Sequence, residues 1–126
     1  MIETTRPIVL VVDDVSVNLL YAKMVFAELE VTLVVAEGGQ EALAACEAQA
    51  FDLILMDIRM PGLDGIETTR RIRQLANANA RAPVVALTTD ANFKDPVIWR
   101  AAGMDGYLAR PFYEDDIRRL LARWGY

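Results

Sequence analysis

Five short apolar runs, separated by longer segments with helical spacing, constrain the fold of this chain most strongly. We predict strands over residues 8–12, 32–36, 53–56, 84–88 and 106–109. Nearly continuous apolar runs of this length are typical of strands buried on both faces of a parallel sheet. Between and after them we predict helices over about residues 15–29, 40–50, 65–75, 96–103 and 113–124.

The local signals around the helices support this alternation of strand and helix. Ser16 is the predicted N-cap of the first helix, and Asp95-Pro96 has the pattern that begins a helix. We expect Arg73 and its arginine neighbours in the third helix to lie mostly in water, and residues 76–82 to form a polar loop. Five such strand–helix units with right-handed crossovers predict an α/β three-layer sandwich.

Polar side chains stand at the carboxyl ends of four of the predicted strands. Three carboxylates, two hydroxyls and one cation stand at these ends: Asp13, Asp14, Asp57, Thr88, Thr89 and Arg110. The carboxyl ends of parallel strands share one edge of the sheet, where ligands usually bind. Each group also has a purely structural interpretation, since an aspartate often caps a turn or a helix. Their convergence favours a functional site.

Clustered carboxylates raise one another's pKa or recruit a cation. The chain contains no histidine and a single cysteine, Cys46, so the available ligands are hard oxygens, which favour Mg²⁺. Magnesium beside a carboxylate suits phosphoryl transfer, for which Asp57 is a candidate nucleophile. Thr88 and Arg110 would then bind the phosphoryl oxygens. The lack of histidine excludes histidine-dependent hydrolase triads and a self-contained histidine kinase activity.

The bulk composition fits one small domain over residues 1–126. The chain is 54% hydrophobic and 25% charged, and no apolar run approaches the roughly 20 residues that span a bilayer. A net charge of -5 argues against nucleic acid or an anionic membrane as a partner. The lone cysteine and the lack of a signal peptide pattern lead us to expect a cytoplasmic location. Because the predicted elements use the whole sequence without a linker, we expect no attached effector domain.

The motifs around these residues resemble those of a known family. They are Val12-Asp13-Asp14 with Asn18, Leu55-Met56-Asp57 with Met60-Pro61 and Gly65, Ala86-Leu87-Thr88, Ala102-Gly103-Met104-Asp105, and Gly106 to Phe112. From end to end the chain resembles the receiver domain of bacterial two-component response regulators, and it looks closest to receivers of hybrid histidine kinases. The resemblance implies a flavodoxin-like fold, with a five-stranded parallel sheet of order 2-1-3-4-5 and five helices.

The resemblance also implies residue roles. Asp57 would be the phosphoacceptor and a metal ligand, Asp14 a direct Mg²⁺ ligand, Asp13 a ligand through water, and the Arg59 carbonyl the remaining protein ligand. Thr88 and Tyr107 would be the switch residues, because the phosphoryl group draws Thr88 inward and vacates space for Tyr107. The phosphodonor would be a histidine kinase or a histidine phosphotransfer protein. A receiver is not an enzyme acting on a separate substrate, although it catalyses its own phosphoryl transfer and slow dephosphorylation.

The chain departs from the family pattern in three features. Arg110 replaces the usual lysine, and we expect it to lie over Asp57 or Asp13, with a cis peptide bond before Pro111. Thr89 replaces a small residue and should narrow access to Asp57. Arg59 and Asp90 carry opposite charges beside the site and should pair across it.

Helix 4, strand 5 and helix 5 carry an unusual aromatic load. We expect part of the set Trp99, Tyr107, Tyr113 and Trp124 to be exposed, and this face to bind a downstream protein.

Two other functions remain open from the sequence. A phosphatase of haloacid dehalogenase type would need a second aspartate at position 59, where this chain has arginine. A degenerate receiver, acting as a phosphorylation-independent binding module, is the stronger alternative because of Arg110.

Overall fold

The computed structural model describes residues 6–126, so residues 1–5 of the predicted domain lie outside the described part. Within that range five strands alternate with five α-helices. In chain order they are β1 (Ile8–Val12), α1 (Ser16–Phe26), β2 (Thr32–Ala36), α2 (Gly39–Ala48), β3 (Leu53–Asp57), α3 (Gly65–Arg73), β4 (Val84–Thr88), α4 (Pro96–Ala101), β5 (Gly106–Ala109) and α5 (Glu114–Arg123). No helix among these residues has the length and apolar character needed to cross a membrane.

The five strands form one parallel sheet in the order β2-β1-β3-β4-β5, which confirms the predicted flavodoxin-like topology. Val12 at the end of β1 pairs with Met56 of β3, and Asp57 pairs with Leu87 of β4. This register brings the carboxyl ends of the central strands level with one another. The residues that follow these strands therefore meet at one edge of the sheet.

Side chains alternate across the sheet and form a hydrophobic core on each face. On one face Val9 and Leu55 pack with residues of α1 and α5, and on the other Leu10 and Ile54 pack with residues of α2, α3 and α4. The strand residues in these cores are almost fully buried, as expected for a parallel sheet covered by helices on both sides. The two cores fix the sheet edge that carries the polar side chains.

Helix ends differ from the predicted ones by a few residues. Helix α1 ends at Phe26, and Leu29, predicted to be its last residue, is buried in the turn that follows. The segment predicted as a polar loop contains a 3-10 turn at Ala78–Arg81, and a second 3-10 turn forms at Ala91–Lys94.

Two predictions about side chains are wrong. Ser16 is the first helical residue rather than the N-cap, which is Val15. The Val15 N–H donates to the Asp13 carboxylate at 2.9 Å, and Val15 itself makes no side-chain capping hydrogen bond.

Arg73 does not lie mostly in water. Its guanidinium donates to the carbonyls of Ala82 at 2.6 Å and Gly103 at 2.9 Å, and to the Asp105 carboxylate at 2.9 Å. These acceptors lie in loops distant in the sequence, so helical periodicity could not reveal them.

Candidate functional site

The three predicted carboxylates meet at the carboxyl ends of the adjacent strands β1 and β3. Asp57 is the last residue of β3, and Asp13 and Asp14 directly follow β1. One carboxylate oxygen from each lies within 4.8 Å of the others. The convergence predicted from the strand ends is therefore confirmed.

Burial sets the electrostatics of this cluster. Asp13 is fully buried, and the Asp57 side chain is only 14% exposed. Loss of solvent, followed by the charge of Asp13, raises the pKa of Asp57 from 3.8 to about 6, although Arg110 and the Arg59 N–H act in the opposite direction. The positive groups near the cluster therefore do not fully offset its negative charge.

Arg110 supplies the nearest positive charge. It follows β5 and is joined to Pro111 by a cis peptide bond, as expected. Its guanidinium lies 2.5 Å from Asp13 Oδ2 and 3.8 Å from Asp57 Oδ1, and its side chain is 18% exposed. The predicted position of Arg110 over the acidic residues is confirmed, with Asp13 as the closer partner.

The third carboxylate, Asp14, differs from Asp13 and Asp57 in its hydrogen bonding. Among residues 6–126, Asp14 Oδ1 is a buried side-chain oxygen that has no hydrogen-bond partner. A buried polar atom without a partner is costly, and a cation is one group that satisfies it. The donor set consists of carboxylate oxygens only, the ligands that Mg²⁺ prefers. The three carboxylates of Asp13, Asp14 and Asp57 thus fit a hard divalent cation.

The cluster opens into a cleft of about 420 Å³, which is lined by Asp57, Arg59, Thr88, Thr89, Asp90, Ala91 and Arg110. Thr88 ends β4, and its buried hydroxyl accepts the Asp90 N–H at 2.9 Å. Thr89 is exposed at the rim. The Arg59 guanidinium lies 3.4 Å from the Asp90 carboxylate across the mouth, which confirms the predicted ion pair.

Two residues outside the predicted site, Gly65 and Tyr21, support it. At Gly65, which begins α3, an added Cβ would lie 2.0 Å from the Asp57 carbonyl oxygen, so only glycine fits against this strand end. The Tyr21 hydroxyl donates to the Phe112 carbonyl at 2.6 Å and ties α1 to the segment that carries Arg110. The glycine in the motif was a usable signal for the first contact, whereas nothing in the sequence indicated the second.

The aromatic residues of α4, β5 and α5 are exposed to different degrees. Tyr113 is 61% exposed, whereas Trp99 is buried. Tyr107 and Trp124 are partly buried, and the Arg123 guanidinium lies 4.7 Å from the centre of the Trp124 ring. The prediction that some of this set is exposed is confirmed, and Tyr113 is the clearest case.

Comparison with known proteins identifies the family. The model of the response regulator receiver domain matches residues 9–122, so the chain belongs to this family. It is 35% identical to the sensor protein GacS of Pseudomonas syringae pv. syringae, over 98% of this chain but only 14% of that protein. The chain thus spans about one seventh of that relative, and the resemblance to receivers of hybrid histidine kinases is confirmed.

Solved structures support the same assignment. The receiver domain of a sensor histidine kinase from Pseudomonas aeruginosa PAO1 has a TM-score of 0.84 and 37% identity, and the match covers 95% of this chain and 98% of that one. That structure holds a magnesium ion in its active-site cleft. The chemotaxis protein CheY4 of Vibrio cholerae has a TM-score of 0.83 and 27% identity, with 94% of this chain and 98% of that chain covered. The chain is therefore a two-component receiver in fold and family.

Proposed function

We propose that this receiver accepts a phosphoryl group from a phosphohistidine onto Asp57 in a reaction that depends on Mg²⁺. The observation that carries the proposal is the cluster of three carboxylates within 4.8 Å at the ends of β1 and β3, beside an open cleft. Asp57 is the member of the cluster that lines the cleft and so can be reached by a donor. Family membership supports the phosphoacceptor role.

In the proposed reaction an Asp57 oxygen forms a bond to phosphorus while the phosphorus–nitrogen bond of the phosphohistidine breaks. The departing imidazole nitrogen keeps the electron pair. The Thr88 hydroxyl and the Arg110 guanidinium line the same cleft and are placed to donate to the phosphoryl oxygens. Later attack of water on phosphorus releases inorganic phosphate and restores the Asp57 carboxylate.

Asp14 and Asp57, with Asp13 acting through water and the carbonyl of Arg59, would hold the cation. Bound Mg²⁺ would supply positive charge that offsets the charge of the phosphoryl oxygens. Structural support comes from the buried Asp14 oxygen, which has no hydrogen-bond partner within residues 6–126, and a similar receiver holds magnesium in its cleft.

Labelling with a small acyl phosphate donor tests this proposal. We expect Asp57→Asn to abolish labelling, and Asp14→Ala to weaken Mg²⁺ binding and slow the reaction. Asp64→Asn is the matched control, because Asp64 caps α3 from an exposed position and asparagine caps equally well. Undiminished labelling of the Asp57→Asn protein would refute the assignment, and labelling unaffected by a chelator would refute the magnesium dependence.

The proposal includes a physiological donor, an output partner and a location. The donor is a histidine kinase or a histidine phosphotransfer protein, since the chain resembles receivers carried by sensor kinases. The output partner is a protein that contacts α4, β5 and α5, where Tyr113 is exposed. Tyr107 would relay the phosphorylated state of the cleft to this face.

A cytoplasmic location would suit the free thiol of Cys46.

A degenerate receiver that binds partners without phosphorylation remains the second candidate. The observation in its favour is the close contact of Arg110 with Asp13, since this internal cation occupies part of the acidic cluster. The labelling experiment separates the two candidates. A wild-type protein that stays unlabelled with saturating donor and Mg²⁺ would favour the binding module.

A further inference from the structure

Both oxygens of Asp13 are already engaged within the protein. Oδ1 accepts the Val15 N–H at 2.9 Å, and Oδ2 lies 2.5 Å from the Arg110 guanidinium. Asp14, the next residue, differs, because one of its buried oxygens has no partner among the described residues. The two neighbouring carboxylates are therefore unequal as ligands for a cation.

We propose that Arg110 competes with the divalent cation for Asp13, so that cation binding and release of Arg110 from Asp13 are coupled. The inference rests on the proposed function only for the location of the cation site. Asp14 and Asp57 would form the primary ligand pair, and Asp13 would contribute only when Arg110 leaves it. Arg110 would then be free to turn towards Asp57, which already lies 3.8 Å away.

The competition follows from charge and burial. Asp13 is fully buried and Arg110 is 18% exposed, so water screens their interaction poorly. Arg110 therefore places a positive charge inside the acidic cluster. A divalent ion entering beside it meets a neutralised Asp13 and a like charge. Its affinity for the cleft should be lower than the count of three carboxylates suggests.

Isothermal titration of the unphosphorylated protein with Mg²⁺ measures the effect directly. We expect Arg110→Gln to tighten Mg²⁺ binding by about tenfold, since it removes a poorly screened charge from the cluster. Lys94→Gln is the matched control, because it removes one positive charge from an exposed position at the end of the 3-10 turn that begins at the cleft-lining residue Ala91. The control variant should bind Mg²⁺ within about twofold of wild type, because an exposed charge is screened by solvent.

A double-mutant cycle separates competition for Asp13 from general repulsion. Asp13→Asn keeps an oxygen for the Val15 N–H but removes the charge that holds Arg110. In that background the gain from Arg110→Gln should shrink to about threefold or less, because the two side chains are coupled. An equal gain in both backgrounds would overturn the proposal.

A nuclear magnetic resonance titration supplies a readout independent of affinity. The Arg110 Nε–H resonance, assigned by its loss in Arg110→Gln, should shift when Mg²⁺ saturates wild type, because the contact with Asp13 is released. An unchanged resonance at saturation would contradict the coupling. If every variant binds Mg²⁺ with the affinity of wild type, the inference fails while the proposed function stands. If neither wild type nor Arg110→Gln binds Mg²⁺, the magnesium part of the proposed function fails as well.

Discussion

Replacing Asp57 by asparagine should stabilise the metal-free protein, although it removes the proposed phosphoacceptor. Burial and the neighbouring Asp13 charge raise the pKa of Asp57 from 3.8 to about 6. One pKa unit corresponds to about 1.4 kcal/mol, so the shift of roughly two units sets an upper bound of about 3 kcal/mol. Solvent in the open cleft screens the charges and reduces the effect below this bound. We therefore expect Asp57→Asn to raise the free energy of unfolding by about 1–3 kcal/mol.

The sign of the pH dependence follows from the raised pKa. The unfolded chain loses the Asp57 proton near pH 3.8, whereas the folded protein keeps it to about pH 6. The contribution of Asp57 to stability is therefore fully present below pH 3.8 and is lost as the pH rises through 6. Asparagine does not titrate. The advantage of Asp57→Asn over wild type should thus grow between pH 4.5 and pH 7.5 and then level off.

Urea unfolding with a chelator present, at pH 4.5 and pH 7.5, checks this prediction. Glu30→Gln is the control for loss of one negative charge, because Glu30 is exposed in the turn before β2. Adding Mg²⁺ should stabilise wild type more than Asp57→Asn, because only wild type keeps all its carboxylate ligands. The reasoning is refuted if the metal-free wild type is as stable as Asp57→Asn at pH 7.5, or if their difference does not change with pH.

Three further outcomes are expected. The double variant Arg59→Ala, Asp90→Ala should lose its phosphoryl group severalfold faster than wild type, because the pair no longer blocks water at the mouth; an unchanged half-life would contradict this. Unfolding should change little, since an exposed ion pair contributes about 0–1 kcal/mol. Burial raises the pKa of Cys46 to about 11, so iodoacetamide at pH 8 should label it slowly until urea is added, and fast native labelling would be contrary evidence. Arg110→Lys should strengthen the phosphorylation-dependent change at Tyr107 seen by NMR without abolishing labelling, because a compact lysine charge can follow one carboxylate oxygen when the phosphoryl group arrives; an unchanged response would refute a link between residue 110 and Tyr107.

The sheet and the position of the site were predictable because they depend on local pattern. Apolar runs of strand length identified all five strands, and the only change at a strand end is that Asp57 joins β3. The carboxyl ends of parallel strands must share an edge, so the residues that follow them had to converge. Strand order is different in kind. The apolar pattern is compatible with several orders, and only the family resemblance supplied the observed one.

Side-chain partners were less predictable, because they depend on contacts between residues distant in the sequence. Arg73 carries the charge and helical position of an exposed residue, yet its acceptors lie in loops up to 32 residues away. Ser16 is a residue type that favours N-cap positions, but the helix begins at Ser16 itself and the N-cap is Val15, which makes no side-chain capping hydrogen bond. Arg73 is partly buried with its partners rather than left in water, as desolvation requires.

The acidic cluster shows why a count of charges does not define a cation site. From the sequence Asp13 and Asp14 are equivalent neighbours, and the family resemblance alone distinguished their roles. The structure distinguishes them by their partners: Asp13 accepts hydrogen bonds on both oxygens, and Asp14 keeps one buried oxygen free among the described residues. The difference arises because Arg110, at the end of β5 and three strand positions from β1, reaches over β4 and β3 to Asp13. The side chain that follows β5 therefore affects which carboxylate after β1 is available to a ligand. Cation binding by this cleft should depend on residue 110 as well as on the three aspartates.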